Sequence, residues 1–190
     1  MRYLVISDIH GGALELEKAL GYFDKYKCDY IVLLGDILNH GPRNTVPESY
    51  DPMKVGELLN TYKQKIISIR GNCDSEVDSM VLDFPCNAPY GYINQKISGK
   101  YQKIFLTHGH LYDIDSEKGI SKLGLGNGDI VLSGHTHVSG IFKKENGIVN
   151  INPGSITIPK GNTKAGFAVI SEKSVELYSL DGQFLDCYSF

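Results

Sequence analysis

The sequence predicts an α/β fold: a four-layer α/β/β/α sandwich in which two mixed sheets pack together between outer helices. Strand patterns alternate with amphipathic helical patterns in the first half of the chain, whereas short strand patterns separated by glycine-bearing turns fill the second half. The 190 residues show no change of composition that would mark a second domain. Residues 1–190 are therefore expected to form a single domain.

The first half of the chain begins with two strand–loop–helix units and a third strand. A strand over residues 3–7 precedes a helical pattern whose apolar face is formed by Leu14, Ala19, Leu20 and Phe23. A second strand over 30–35 leads through a polar loop, 37–52, to a helix over 53–62, and a third strand covers 65–69. This order indicates parallel strands, whose functional loops lie at the carboxyl ends.

The second half of the chain predicts short strands and hairpins. The strand patterns cover residues 92–97, 103–106, 130–132, 140–143, 148–151, 167–171, 175–179 and 184–188. Lys144 to Gly147, with the sequence KENG, is a hairpin turn signal. Because helical patterns lie in the first half of the chain and hairpins in the second half, the sequence favours two packed sheets with helices on the outside.

Composition excludes several classes of function. A net charge of −3 supplies no general field for nucleic acid or anionic lipid, so neither a nucleic-acid-binding surface nor a membrane partner is expected. No apolar run is long enough for a signal-peptide core or a membrane span, which predicts a cytoplasmic location. Cys28, Cys86 and Cys187 are expected to be reduced packing residues, whereas Cys73 lies among the polar residues that follow a strand.

Polar residues follow five predicted strands at their carboxyl ends: Asp8, His10, Asp36, Asn72, His108, His135 and His137. Each alone has an ordinary explanation, since an aspartate after a strand is often a helix cap and a buried histidine is usually hydrogen-bonded. Together they would bury many polar groups at a high cost in free energy unless a metal satisfied them. Alternate residues of an extended segment point the same way, so Asp8 and His10 are expected to address one ion.

Seven donors are too many for one ion and suit two six-coordinate ions that share ligands and solvent. Asp36 is the expected bridge, because a carboxylate has two oxygens that can hold cations about 3.5–4 Å apart. Asn72 would supply a neutral oxygen, and Gly71 would let the backbone approach the ion. Nitrogen and oxygen donors without a committed thiolate favour Mn²⁺, with Zn²⁺, Fe²⁺, Co²⁺ or Ni²⁺ as alternatives.

These residues lie in the blocks D-x-H, G-D, G-N-[HC]-[DE], H-G-H and G-H-x-H, in that order from Asp8 to His137. In this arrangement the sequence resembles the calcineurin-like metallophosphoesterases. The segments GDILNHGPRN, GNCDSEVD, LTHGH, GHTH and NPGSITIPKG are similar to the small bacterial and archaeal phosphodiesterase branch of that family. The resemblance covers nearly the whole chain.

The resemblance implies the four-layer fold, a usually manganese-dependent dinuclear centre, a small phosphodiester substrate and a homo-oligomer. One implied ligand set is Asp8, His10, Asp36 and His137, and the other is Asp36, Asn72, His108 and His135. Phosphatase members have a histidine after the asparagine that assists the leaving group, whereas this chain has Cys73 there, as does the branch it resembles.

A hydroxide bridging two ions would attack phosphorus in line with the leaving group. The residues expected to take part in catalysis are Asp36, Asn72, Cys73, Asp74 and His108, and those expected to contact substrate are Arg43 and Cys73. Arg43 either binds a phosphoryl oxygen or is a solvated surface arginine. Asp74 is expected to orient a ligand histidine.

Cys73 either packs beside the site or contacts the substrate. Nearby cations would lower its pKa and leave a thiolate that cannot act as an acid, so substrates are expected to need a good leaving group. His110 either supports a ligand or merely ends a strand, and His40 is expected at the mouth of the pocket. The loop 39–51 and the segment NPGSITIPKG are expected to shape that pocket.

The sequence disfavours two alternative functions. A non-catalytic metal-binding or scaffold protein of the same fold would typically lack ligands, whereas every matched ligand position is filled here. A zinc-dependent deaminase or amidase would need histidine or cysteine ligands around one ion with a neighbouring glutamate, an arrangement that the sequence lacks.

Overall fold

The computed structural model describes residues 1–97 and 99–190, which contain eleven strands and three α-helices. The strands are β1 (Tyr3–Ile6), β2 (Tyr30–Leu33), β3 (Ile66–Ser68), β4 (Tyr90–Ile97), β5 (Lys100–Thr107), β6 (Ile130–Leu132), β7 (Gly140–Lys143), β8 (Val149–Asn152), β9 (Gly166–Ile170), β10 (Ser174–Ser179) and β11 (Phe184–Ser189). The helices are α1 (Ala13–Lys25), α2 (Pro52–Asn60) and α3 (Glu117–Lys122), and short 3₁₀ turns cover Lys63–Lys65 and Glu76–Met80.

Both sheets are mixed. The six-stranded sheet has the order β11-β10-β9-β1-β2-β3, and the five-stranded sheet has the order β4-β5-β6-β8-β7. Strands β1, β2 and β3 are parallel, as are β5, β6 and β8, while the remaining neighbours pair antiparallel. The carboxyl ends of each parallel set therefore lie at one edge of its sheet.

The outer face of the six-stranded sheet packs against α1 and α2. Leu4 and Ile6 of β1 share a buried cluster with Leu16 and Phe23 of α1 and with Leu59 of α2. Successive strand residues point to opposite faces, which is why every second residue of β1 reaches this cluster. Burying both faces of β1 explains why its sequence is a continuous apolar run.

The two sheets pack directly on each other, and α3 covers the far side. Val5 of β1 meets Ile104 of β5 in the cluster between the sheets. On the opposite face of β5, Phe105 packs with Val131 of β6 and with Ile120 of α3. The layer order is therefore helices, sheet, sheet and helix.

Element bounds differ from the sequence prediction at a few points. Helix α2 begins one residue early, because the side chain of Asp51 accepts a hydrogen bond from the Lys54 backbone N–H and Pro52 occupies the first turn. Helix α3 was not predicted, since six residues carry too little periodicity. Strand β5 begins three residues early, paired with β4. The predicted hairpin turn at Lys144 joins β7 to β8, with Lys144 N–H donating to the Ile148 carbonyl at 2.8 Å.

The four cysteines are all unpaired thiols. Cys28 and Cys86 are buried packing residues, as predicted, but the prediction is wrong for Cys187, which is exposed on β11. Strand β11 is an edge strand whose outer face is not covered, so its side chains meet solvent. Within the described residues, no helix has the length and apolar character needed to span a membrane.

Candidate metal centre

The structure brings the seven predicted donors together where β1, β2, β3 and β5 end and in the loop after β6. Asp8, His10, Asp36, His108 and His137 are buried, whereas His135 is half-buried and Asn72 is exposed. Two triads each have ligand atoms within 4.8 Å of one another: Asp8, His10 and His137, and Asp8, Asp36 and His108. A third combines His10, Asp36 and the thiol of Cys73.

Five of the seven donors have a left-handed backbone. The φ angles are 53° for Asp8, 47° for His10, 53° for Asp36, 68° for His135 and 60° for His137. Such a conformation costs about 1–3 kcal/mol in a residue other than glycine and tends to cluster at functional sites, although Lys27 and Asn162 adopt it elsewhere in this chain. The prediction that Asp8 and His10 converge because they lie on an extended segment is therefore wrong. Each residue is turned inward by its own backbone.

Hydrogen bonds between loops hold these conformations. The backbone N–H of Asp8 donates to Gly35 O at 3.1 Å, and that of His10 donates to Asp36 O at 2.9 Å. The parallel pairing of β1 and β2 thus continues into the loops that follow them. The carboxylate of Asp8 and the imidazole of His10 are consequently set beside Asp36.

Backbone carbonyls orient three of the histidines. Nδ1 of His10 donates to Asn39 O at 2.8 Å, Nδ1 of His108 to Leu34 O at 2.7 Å, and Nδ1 of His137 to Ile158 O at 2.7 Å. A carbonyl can only accept, so the proton of each neutral ring lies on Nδ1. Nε2 is then left with a lone pair that points into the site, as a metal ligand requires.

Nε2 of His10 and Nε2 of His137 lie 3.1 Å apart. Burial lowers the pKa of His10 and thereby favours its neutral ring. Two facing lone pairs at this distance repel each other. A bound cation between them would turn that repulsion into coordination.

Asp8 has one oxygen without a partner. Its Oδ2 accepts hydrogen bonds from Ser7 Oγ at 2.6 Å and from the His135 backbone N–H at 3.0 Å. Its Oδ1 is buried and accepts no hydrogen bond, although Nε2 of His137 lies 3.3 Å away and Nε2 of His10 lies 3.8 Å away. A buried oxygen of this kind is costly unless a cation binds it. The donor set therefore fits a divalent ion.

Asp36 lies between the two groups of donors. Its Oδ1 accepts the Cys73 backbone N–H at 2.7 Å, whereas its Oδ2 lies 3.6 Å from Nε2 of His10 and 3.4 Å from Nε2 of His108. Oδ1 is thus engaged by a backbone donor, whereas Oδ2 faces a histidine of each group. That each oxygen holds one cation stays a prediction. Burial raises the pKa of Asp36, but His108, the Cys73 N–H and His10 together outweigh burial and hold that pKa well below its usual range.

The second group centres on Asn72 and His108. Oδ1 of Asn72 lies 3.0 Å from Nε2 of His108 and 2.6 Å from Nδ1 of His135, while its Nδ2 donates to Cys73 Sγ at 3.2 Å. Burial lowers the pKa of His108, but its hydrogen bonds with Asp36 and Leu34 O and the charges of Asp8 and Asp36 together outweigh burial and raise that pKa to about 9. A cation bound here would displace the proton that His108 otherwise carries.

Asp74 differs from its predicted role. Its carboxylate contacts no histidine and instead accepts three backbone N–H groups: Asp36 at 2.8 Å, Ile37 at 2.7 Å and Gly71 at 2.7 Å. Burial raises the pKa of Asp74 to about 6, and these donors act in the opposite direction. Asp74 thus ties the loop after β2 to the loop after β3.

Gly71 lies where any side chain would collide with the carboxylate of Asp36. A Cβ added there would lie 2.1 Å from Oδ1 of Asp36, a distance that no side chain tolerates. The absence of a side chain lets the backbone approach the carboxylate of Asp36, and the expected close approach to an ion stays a prediction.

An open cavity of about 660 Å³ lies over the donors. Arg43 and Cys73 line it, in agreement with the positions predicted for substrate contacts, and so do Asn44, Thr136 and Lys160. Sequence reasoning singled out none of these last three residues. Lys160 belongs to the segment NPGSITIPKG, which was expected to shape the pocket, but nothing local distinguishes it from a surface lysine.

Cys73 is half-buried against the loop that contains Gly41. A Cβ added at Gly41 would lie 2.8 Å from Cys73 Sγ. Burial first, and then the charge of Asp36, raise the pKa of Cys73 to about 12. The predicted thiolate depends on nearby cations that would lower this pKa. Burial and Asp36 act in the opposite direction.

The two remaining histidines lie beside the site. The ring of His110 is 5.2 Å from that of His108 and 6.0 Å from that of His135, measured between centroids, and the residue is exposed. His40 is half-buried with its ring edge-on to Tyr50 at 5.3 Å. Neither histidine belongs to the triads that could hold an ion.

Residues 1–174 match the family model of the calcineurin-like phosphoesterase superfamily domain. The chain is 39% identical over 183 residues to phosphodiesterase YfcE of Escherichia coli strain K12, and the alignment covers 96% of this chain and 94% of that protein. Both matches include the sequence motifs that contain the candidate ligands.

Solved structures agree with this likeness. The structure of YfcE, a phosphoesterase from E. coli, superposes with a TM-score of 0.89 at 38% identity and covers 100% of this chain and 99% of that chain. Vps29 from Cryptosporidium parvum superposes with a TM-score of 0.65 at 19% identity and covers 100% and 98% of the two chains, a likeness of fold alone. The match to YfcE confirms the predicted sandwich of two mixed sheets.

Proposed function

Since this chain belongs to the calcineurin-like phosphoesterase superfamily and is a metal-dependent phosphoesterase, we propose that it hydrolyses small phosphodiesters by in-line attack on phosphorus. The observation that carries the proposal is the pair of Nε2 atoms of His10 and His137, which face each other at 3.1 Å beside the unpartnered Oδ1 of Asp8. Two divalent ions, when bound, would acidify water and neutralise phosphoryl oxygens.

The proposed ligands fall into two sets that share Asp36. One set is Asp8, His10, Asp36 and His137, and the other is Asp36, Asn72, His108 and His135. The contacts of Asp36 Oδ2 with His10 and His108, one from each set, support the shared ligand. Mn²⁺ is the proposed ion, since the donors are nitrogen and oxygen atoms without a committed thiolate.

The other polar groups position the proposed ligand residues and the substrate. Cys73 N–H keeps Oδ1 of Asp36 in place, and Asp74 fixes the loops that carry Asp36 and Asn72. Arg43, on the cavity wall, would bind a phosphoryl oxygen and stabilise the negative charge that grows in the transition state. The reaction thus depends on positioning and electrostatics.

No side chain at the cavity is proposed as a strong general acid. The proposed ions would lower the pKa of the Cys73 thiol, against the effect of burial, and a thiolate formed in this way has no proton to donate to the leaving alkoxide. The preferred substrates would therefore carry a good leaving group. Aryl phosphodiesters such as bis(p-nitrophenyl) phosphate should be hydrolysed well and alkyl monoesters poorly.

Chelation tests the proposed function. We expect EDTA to abolish hydrolysis of bis(p-nitrophenyl) phosphate and added Mn²⁺ to restore it best, with two ions per chain by metal analysis. Restoration by Zn²⁺ while Mn²⁺ stays inert would reject the choice of ion. Absence of diester hydrolysis with both ions bound would favour the non-catalytic scaffold.

Substitutions at Cys73 test the proposal that the enzyme lacks a strong general acid. We expect Cys73→Ser to keep diester turnover within about tenfold, a barrier change of roughly 1.4 kcal/mol. Cys73→His should raise monoester hydrolysis relative to diester hydrolysis, with the ring turned into the cavity because Gly41 closes the other side. Exposed Cys187→Ser is the matched control and should change neither rate. A collapse of diester turnover in Cys73→Ser, with both ions retained, would make the thiol catalytic.

The domain organisation, the assembly and the location of the protein stay predictions. Residues 1–190 form a single metallophosphoesterase domain, the protein assembles as a homo-oligomer, and it acts in the cytoplasm without a nucleic-acid partner. Light scattering on the purified chain would test the second of these directly, since a monomeric mass would reject it.

A further inference from the structure

Lys160 is attached rigidly to the candidate metal centre. Its backbone N–H donates to the carbonyl of His137 at 2.9 Å, and its own carbonyl accepts from Thr163 Oγ1 at 2.7 Å. The turn that begins at Lys160 is therefore anchored to a residue of the first proposed ligand set. Its side chain starts from a fixed point at the wall of the cavity.

Asn44, in the loop between β2 and α2, accepts a hydrogen bond from the ammonium group of Lys160. Nζ of Lys160 donates to Oδ1 of Asn44 at 3.2 Å. The amide is oriented for this contact, because Nδ2 of Asn44 donates to the carbonyl of His40 at 2.9 Å and so turns Oδ1 toward the lysine. An ammonium has three donors, and this contact uses one of them.

The cavity has more positive charge than a simple diester would need. Its lining in the described chain contains two permanent cations, Arg43 and Lys160, and the carboxylate of Asp36 is the only acid there. Asp36 is already engaged by Cys73 N–H and by the histidines. A phosphodiester has a single negative charge, which the proposed ions and Arg43 would balance without Lys160.

We propose that Lys160 binds a second phosphate group carried by one alcohol of the substrate. A phosphate monoester carries a charge of about −1.5 to −2 at neutral pH, which favours an additional cation such as Lys160 beside it. This inference rests on the proposed function and narrows its substrate class to phosphodiesters with an additional phosphomonoester. Lys160 determines specificity and takes no part in bond breaking.

Two matched pairs of compounds test the proposal. The first pair is thymidine 5′-(p-nitrophenyl phosphate) and its 3′-phosphorylated derivative, which share one leaving group and differ by one phosphate. The second pair, for binding without turnover, is thymidine 5′-monophosphate and thymidine 3′,5′-bisphosphate. Calorimetric titration measures the second pair with Mn²⁺ bound and again after chelation.

We expect the wild-type protein to bind the bisphosphate at least about tenfold more tightly, the size expected of one charge-assisted contact with phosphate. In Lys160→Met this preference should fall to within about threefold, and Lys160→Arg should restore it. Asn44→Asp should also remove it, because the new carboxylate would pair with the lysine. The ratio of kcat/KM for the first pair should change in parallel.

Lys164→Met is the matched control. Lys164 lies four residues further on and donates to Gln183 Oε1 at 2.6 Å, away from the cavity, so the same loss of charge should leave the preference intact. Equal affinities of the wild type for both nucleotides, or an unchanged preference in Lys160→Met, would overturn the inference. Hydrolysis of both esters at equal kcat/KM would leave the proposed function standing, whereas selective binding without hydrolysis of either would reject that function alone.

Discussion

Asp36→Asn is expected to abolish stable binding of both ions and to lower kcat/KM for bis(p-nitrophenyl) phosphate by about a thousandfold or more, roughly 4 kcal/mol of transition-state stabilisation. The geometry of Asp36 explains the size of the effect. Cys73 N–H donates to Oδ1 at 2.7 Å, so the carbonyl oxygen of an asparagine would take that position. Its NH₂ group would then point at both proposed ions, without a lone pair to offer them.

Metal analysis and kinetics on the purified variant check this expectation. Asp78→Asn is a suitable control, because Asp78 is also a buried aspartate but caps a 3₁₀ turn through Ser75 and belongs to none of the candidate metal triads. The control should retain both ions. Two tightly retained ions and near-normal turnover in Asp36→Asn would remove Asp36 from the bridge.

Asp74→Asn is expected to destabilise the protein and to weaken metal binding at the same time. The carboxylate accepts three buried backbone N–H groups, and an amide can offer only one oxygen in place of two. Its NH₂ group would face at least one of these donors, and leaving one buried donor unsatisfied costs about 1–3 kcal/mol. The loops that carry Asp36 and Asn72 would then lose their common anchor.

Denaturant unfolding of chelated protein separates the loss of stability from the loss of metal. Asp83→Asn is the control, since Asp83 is exposed and pairs with Lys63 at 3.1 Å, so its change should stay within about 0.5 kcal/mol. If Asp74→Asn unfolded at the same denaturant concentration as the wild type and bound Mn²⁺ equally well, the anchoring role would be rejected.

The fold and the set of donors could be predicted because both depend on local patterns. Apolar strands that end in Asp8, Asp36 and Asn72 are read directly from the order of residues, and parallel strands bring such ends to one edge of a sheet. Short elements escaped prediction, as α3 did, because six residues carry too little periodicity to distinguish a helix from a loop.

The directions of the side chains depended on the tertiary structure. Asp8, His10 and Asp36 point inward because their backbones are left-handed, and hydrogen bonds to a neighbouring loop stabilise that conformation. Periodicity predicts only extended or helical backbone, so it assigned the wrong backbone geometry to Asp8 and His10. The environment of Asp36 likewise depends on Cys73, 37 residues away, whose backbone N–H donates to Oδ1.

The sequence by itself determined which chemical groups this protein brings to its metal centre, since the residue types and their positions after strands are local properties of the chain. The tertiary structure decided which atom of each group is free to bind. It placed His10 against His137, 127 residues away, and Lys160 against Asn44, 116 residues away. Such contacts form only when distant loops meet, and no local pattern of residues encodes them.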